Sequence, residues 1–389
     1  MRQKFLFAIG LSVTLFASCK KDDDNNPVVD QKIPYNILTP TTNYFTTFRG
    51  TDSNTTVDFS GQTTRIEMLT EMDAYIKTGI NSEVKSAMLK DMFTHQNSPF
   101  QSAALNAATD KTIASKTAAS FSSVDANEER ERFNSWFDSV AVASLSNGSV
   151  ANVGVAGLLD QKYLVNAKGF EYGQFIQKGL MGAMMLDQIS NVYLGTEKMS
   201  ADNKAIVSGK NYTQLEHHWD EAYGYLTRNE YFPKADPNDA SKWLESFLGN
   251  YVRQVKAPYG DPSAVYMAFL KGRAAIVNND LTTRDEQIAT IRQSLEKAIA
   301  TIAISYLNKT KTATSTGAKF HSLSEGVGFV YALRFAHNPK INKTLSNQLL
   351  DILTSKPNGF WDLTDEDLNQ VRDQIADAFS IDKLAVVNH

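Results

Sequence analysis

Between residues 64 and 379 the apolar positions recur mostly three and four apart, the spacing of a helix with one buried face. From Thr64 to Gly79 the residues Ile66, Leu69, Met72 and Ile76 share a stripe, with Asp73 beside it and Gly79 as the expected C-cap. The same spacing predicts helices near 82–93, 100–120, 127–145, 170–194, 211–227, 240–250, 261–280, 284–308, 317–337, 341–354 and 364–379. Ser82 before Glu83, Asp261 before Pro262, and Thr364 with Glu366 read as helix starts. No sustained alternation of apolar and polar residues follows residue 64, and Thr41–Phe59 is the best place for a short hairpin or extended arm. The expected class is all-α, with an irregular N-terminal arm. Glycine-bearing Ser146–Asp160 reads as an interhelical loop, and no Walker, HExxH, GxSxG or EF-hand pattern occurs.

The N-terminus is organised differently. Arg2 and Lys4 precede an apolar run, Phe5–Phe16, that is short for a membrane span. The run ends Leu15-Phe-Ala-Ser-Cys19. Small residues before the chain's single cysteine resemble a bacterial lipobox, which implies cleavage after residue 18 and lipidation of Cys19. Residues 19–32 then form a charged tether, "CKKDDDNN" at its start. It resembles the acidic export tags of surface-facing lipoproteins of the outer membrane, and a plain linker is the alternative. Cleavage removes two positive charges and no negative ones, so the net charge of −4 becomes −6. With no basic stripe, this argues against a nucleic-acid partner. Without a second cysteine no disulfide forms within the chain, so residues 33–389 must be held by their core.

One pattern occurs twice. His217-x-x-x-Glu221-x-x-Gly224-Tyr225 is matched 104 residues on by His321-x-x-x-Glu325-x-x-Gly328-Phe329. On a helix these positions lie on one stripe, with the glycine leaving room for close approach. A weaker echo precedes each, Phe175 to Gly179 and Phe269 to Gly272. Together they suggest a duplicated helical unit, with halves of about 65–255 and 256–389. If the halves face each other, His217, Glu221, His321 and Glu325 could converge to hold Fe or Zn. The alternative is a structural polar layer of His–Glu pairs. Weaker candidates are His218, three residues before Glu221, and Asp187, which is expected to pair with Arg273 or Arg334.

Five blocks, "VDFSGQTTRIEMLTEM" (57–72), "GLMGAMMLDQI" (179–189), "LEHHWDEAYGYL" (215–226), "FLKGRAAIVNNDL" (269–281) and "HSLSEGVGFVYALRF" (321–335), resemble a family of Gram-negative envelope lipoproteins of unknown function. More remotely the chain is similar to imelysin-like proteins. That resemblance implies a pair of related helical bundles and an association with iron uptake, with iron, haem or an outer-membrane uptake protein as ligand or partner. It also implies a G-x-H-x-x-E motif once linked to metallopeptidase activity. Here His218-Trp-Asp-Glu221 supplies H-x-x-E, but Glu216 stands at the glycine, which counts against a peptidase. The expectation is therefore a lipid-anchored outer-membrane binding protein. A metal-dependent peptidase using His217, His218 and Glu221 is the first alternative, and a structural subunit of a surface complex is the second.

Overall fold

The stripe read from Thr64 to Gly79 is buried: Ile66, Leu69, Met72 and Ile76 all enter the core. The computed structural model describes residues 32–234 and 245–385, so Cys19, most of the tether and Trp243 lie outside it. A 3-10 turn at Tyr35–Ile37 leads to α1 (Tyr44–Thr47), α2 (Ser60–Lys77), α3 (Ser86–Thr94), α4 (Ala103–Ala107) and α5 (Ser123–Ser144). A hairpin follows, β1 (Gly157–Leu159) and β2 (Tyr163–Val165), antiparallel with Leu158 opposite Leu164. α6 (Tyr172–Leu180) continues through π-helical stretches at Met181–Leu186 and Gln188–Tyr193. Then come α7 (Thr196–Met199), α8 (Gln214–Leu226), α9 (Phe247–Val252), α10 (Pro262–Val277) and α11 (Leu281–Lys311). α12 (Thr316–Ala332), α13 (Lys343–Thr354) and α14 (Asp365–Phe379) complete the chain. The fold is all-α apart from the one hairpin.

Several local expectations change. Ser82 is not a cap: it closes back on Thr78, and α3 starts four residues later. Gly79 lies inside a 3-10 turn that extends α2, and its missing Cβ leaves room for Leu164 and Val84. The segment 100–120 holds only α4 and a 3-10 turn, because its apolar residues are too sparse to sustain one buried face. Thr364 does cap α14, but its reciprocal partner is Asp367, which reaches back to the Thr364 amide; Glu366 is not the partner. Asp261 caps α10 by accepting from the Ser263 and Ala264 amides, with Pro262 in the first position. The loop expected at Ser146–Asp160 ends in β1, a strand of three residues, too short to show a period.

α11 has 31 residues and is roughly 46 Å long. It packs against α10, α12 and α14, while α12 lies on α6 and α8 lies against α2, α10 and the second π-helical stretch. Helices of the two expected halves thus pack on one another, and one hydrophobic cluster runs through both. The α6–α12 crossing is very close. A Cβ on Gly328 of α12 would stand 2.5 Å from the Cβ of Lys178, and one on Gly182 would collide with the backbone of Ala332. Lys178 and Gly182 are one turn apart, as are Gly328 and Ala332, so each helix offers a glycine to the other. Gly328→Val should therefore lower the unfolding free energy by about 1–3 kcal/mol through overpacking, read as a shift in urea midpoint. Gly148→Val, at a position open to solvent, should leave the midpoint unchanged.

Candidate functional site

The duplicated motif forms two separate networks built to one plan. In each, a tyrosine ring stacks on the histidine: Tyr212 on His217, with centroids 4.6 Å apart, and Tyr163 on His321, also 4.6 Å. In each, another tyrosine donates to the glutamate: Tyr193 to Glu221 at 3.0 Å and Tyr251 to Glu325 at 3.0 Å. In each, the glycine one turn on admits a close neighbour, Phe59 at Gly224 and Lys178 at Gly328.

The two networks share no hydrogen bond or ion pair among the described residues. Both are tied to α2, however. Gln62 near its start donates to Glu221 at 2.9 Å. Asp73, eleven residues on and roughly 16 Å along the helix, accepts from Gln177, which in turn accepts from the Lys178 ammonium. His217, Glu221, His321 and Glu325 therefore do not meet at one ion.

The first network is on α8. Glu221 Oε2 lies 3.1 Å from His218 Nδ1 and 3.8 Å from His217 Nε2. Burial pushes the Glu221 carboxyl up, but His218, His217, Gln62 and Tyr193 more than offset it and hold it below its ordinary value. Tyr193 also accepts from the Lys116 ammonium at 3.1 Å. The buried Nδ1 of His217 has no hydrogen-bond partner. Among the described residues no group of three or more His, Cys, Asp and Glu is arranged to hold a metal ion.

The second network is on α12, and its glutamate is the more deeply buried of the two. Glu325 pairs with the buried Lys178 at 2.9 Å. Burial pulls the Lys178 ammonium down, yet Glu325 and Tyr251 hold it above the ordinary lysine value. Burial likewise pushes Glu325 up, and Lys178 and His321 bring it below its ordinary value. His321 Nδ1 donates to Glu171 at 2.6 Å, since a carboxylate only accepts, and its Nε2 faces Glu325 at 3.5 Å. Glu171 precedes α6; its amide donates to Ser324 of α12 and its carboxylate accepts from Gln174.

His321 opens onto a cleft of about 290 Å³. Its walls are aliphatic and aromatic: Ile76 of α2 and Ile80 of the 3-10 turn after it, Val140 and Ala143 of α5, Leu164 and Tyr163 of β2, and Tyr172 of α6. Asp73, Lys77, Lys162, Glu171, Gly173 and Gln174 complete the lining.

The weaker candidates go elsewhere. Asp187 pairs with neither arginine. It accepts from the amide and hydroxyl of Ser120 and from Asn191, because the turn at 118–120 packs against this π-helical segment. Burial raises its pKa. Arg273 instead bonds Asp220 at 3.0 Å and Glu216 at 2.8 Å, fully buried, with Tyr44 also donating to Asp220. Arg334 bonds Glu129 at 2.8 Å, and Tyr331 donates to the same carboxylate. Sequence reading missed Glu171, Lys178, Tyr193 and Tyr251. Lys178 had a signal, a charge on the apolar face of "FIQKGLMGAMM"; the tyrosines and Glu171 had none, since only folding brings them near.

A family model described as "Domain of unknown function (DUF4856)" matches residues 44–382. The chain belongs to this family. No curated protein and no solved structure matches it. The matched region contains every described element of both networks and the cleft, so they are features of a member of this family rather than of an appended segment.

Glu325→Gln should leave Lys178 buried and unpaired, costing about 3–5 kcal/mol of stability, whereas the double variant Lys178→Met, Glu325→Leu should recover most of it. Chemical denaturation of the three proteins measures this. Two other buried acids set a pH dependence of the opposite sense to a salt-bridged carboxylate. Burial pushes Glu296 up to about 7, against the His337 and Asn338 amides, and pushes Glu245 up to about 7, against Thr227 and Asn229. Because the folded values lie above the unfolded ones, their contribution is complete below about pH 4.5 and is lost as pH rises through 7. Glu296 alone should lose up to about 3 kcal/mol by pH 8. Glu296→Gln should flatten the fall in stability between pH 5 and pH 8, followed by urea titration at each pH.

Proposed function

We propose that this chain is a lipid-anchored protein of the outer membrane that binds rather than cleaves, and that it serves iron uptake. The observation that carries the binding reading is the commitment of both motif glutamates. Glu221 is held by Gln62, Tyr193 and His218, and Glu325 by Lys178 and Tyr251. A general base needs a lone pair aimed at water, and here the carboxylates are already engaged. Glu216, at the glycine position of G-x-H-x-x-E, is taken up by Arg273 and by the capping box of α8. Among the described residues the donors are not arranged to hold a bare Fe or Zn ion by several side chains. Iron would therefore arrive within a chelate, as haem, or on a partner protein. His321 is the motif histidine that lines the cleft, where it would meet such a ligand.

Anchoring rests on the lipobox and on the absence of any membrane-length apolar helix among the described residues. The acidic tether supports a surface-facing position, next to an uptake protein. The imelysin-like relationship is supported by the duplicated networks of like geometry, each centred on one His–Glu pair.

Cys19→Ser should move the protein from the membrane fraction to the soluble one; retention after a high-salt wash would overturn the anchor. Elemental analysis and haem titration of untagged protein from iron-replete cells should give a stoichiometric signal that His321→Ala diminishes with little change in melting. Protein that neither carries iron nor titrates with haem would end the iron reading. Hydrolysis of denatured casein abolished by Glu221→Gln would replace it with the peptidase.

A further inference from the structure

The carboxylates that line the cleft are satisfied by the protein itself. Asp73 accepts from Lys77 and Gln177, and Glu171 accepts from His321 and Gln174. No lining residue is among the buried polar groups left without a partner. A sugar or nucleotide entering here would give up its hydration and find few open donors or acceptors. An apolar body would gain instead, at roughly 25 cal/mol for each Å² removed from water. Asp73 is matched by Lys77, and Glu171 by hydrogen bonds from His321 and Gln174, which leaves the ammonium of Lys162 as the lining charge without a hydrogen bond or ion pair among the described residues. Lys162 stands over the ring of Tyr163 at 5.0 Å with no carboxylate beside it among the described residues. Elsewhere α5 and the loop after it expose Val142, Leu145, Val150, Val153 and Val155.

From this juxtaposition we propose that the cleft between α2, α5, β2 and α6 is a binding site for a small amphipathic anion, an apolar body with one acidic head. The body lies on Ile76, Ile80, Val140, Ala143 and Leu164, and the head is held by Lys162 at the mouth. The size suits one short acyl chain or one small aromatic ring system, and both share this chemistry. The inference rests on the binding reading above and names the class of ligand for the same cleft. His321, with Tyr163 stacked on it, forms the inner wall, and its hydrogen bond to Glu171 fixes the ring.

The test uses the full chain with Cys19→Ser, purified without detergent, and 11-(dansylamino)undecanoic acid as fluorescent probe. Saturable binding is expected, with displacement by decanoate. Decyltrimethylammonium should displace at least ten-fold more weakly, and glucose or AMP not at all. Naphthoate against decanoate decides between ring and chain. Lys162→Glu, at an exposed position that does not threaten folding, should weaken decanoate about ten-fold and leave uncharged 1-decanol unchanged. Ala143→Trp should fill the cleft and abolish probe binding while the melting curve stays cooperative. No saturable binding, or binding indifferent to both Lys162→Glu and a folded Ala143→Trp, overturns the proposal. The two readings fail separately: iron or haem in the protein without probe binding sinks the amphiphile alone, and probe binding without iron or haem sinks the iron reading alone.

Discussion

The close crossing of α6 and α12 is the constraint on which the rest depends. Gly182 and Gly328 let two helix backbones come within a distance that any side chain would forbid. That proximity lays Lys178 along α12 and delivers its ammonium to Glu325 in a place water does not reach. A buried pair of this kind gains little net stability, because desolvation of both charges offsets most of their attraction, but it is intolerant of losing either member. It therefore acts as a register lock. Slide α12 by one turn along α6 and the glycine contact and the ion pair are lost together.

The lock also places the cleft. Ser324 of α12 bonds the Glu171 amide at the start of α6, and His321, one turn before Glu325, bonds the Glu171 side chain. The imidazole is thus held from two helices, with Tyr163 of the hairpin across its face. The same construction at α8 lacks a buried lysine and uses the neutral Gln62 in its place. One half of a repeated design borders an apolar-walled cleft, and the other is a polar layer around His217, His218 and Glu221.

Much of this was legible in order and little of it in space. The helical class, most helix positions and the stripe of each motif follow from spacing, since a 3.6-residue period is a property of the chain itself. The glycine after each His–Glu pair was correctly expected to admit a close neighbour. The hairpin was missed because three residues carry no period, and Ser82 was misread because a good capping residue cannot cap a helix that starts elsewhere. Asp187 was assigned to an arginine because charge was considered without direction. The serine and asparagine that satisfy it are ordinary in sequence and decisive only by position.

By itself, then, the sequence determined the periodicity that makes the chain helical, the recurrence of His, Glu and Gly at one spacing, and the single cysteine behind a short apolar run. Those are local quantities, fixed by neighbours within a few turns. Only the tertiary structure decided that the two His–Glu pairs stand apart, on α8 and α12, rather than facing across one ion. It also decided that Tyr251, 74 residues from Glu325, completes one network, and that an apolar cleft opens beside His321. Partners so far apart in the chain leave no periodic trace, because they are selected by how helices cross and not by what precedes or follows them.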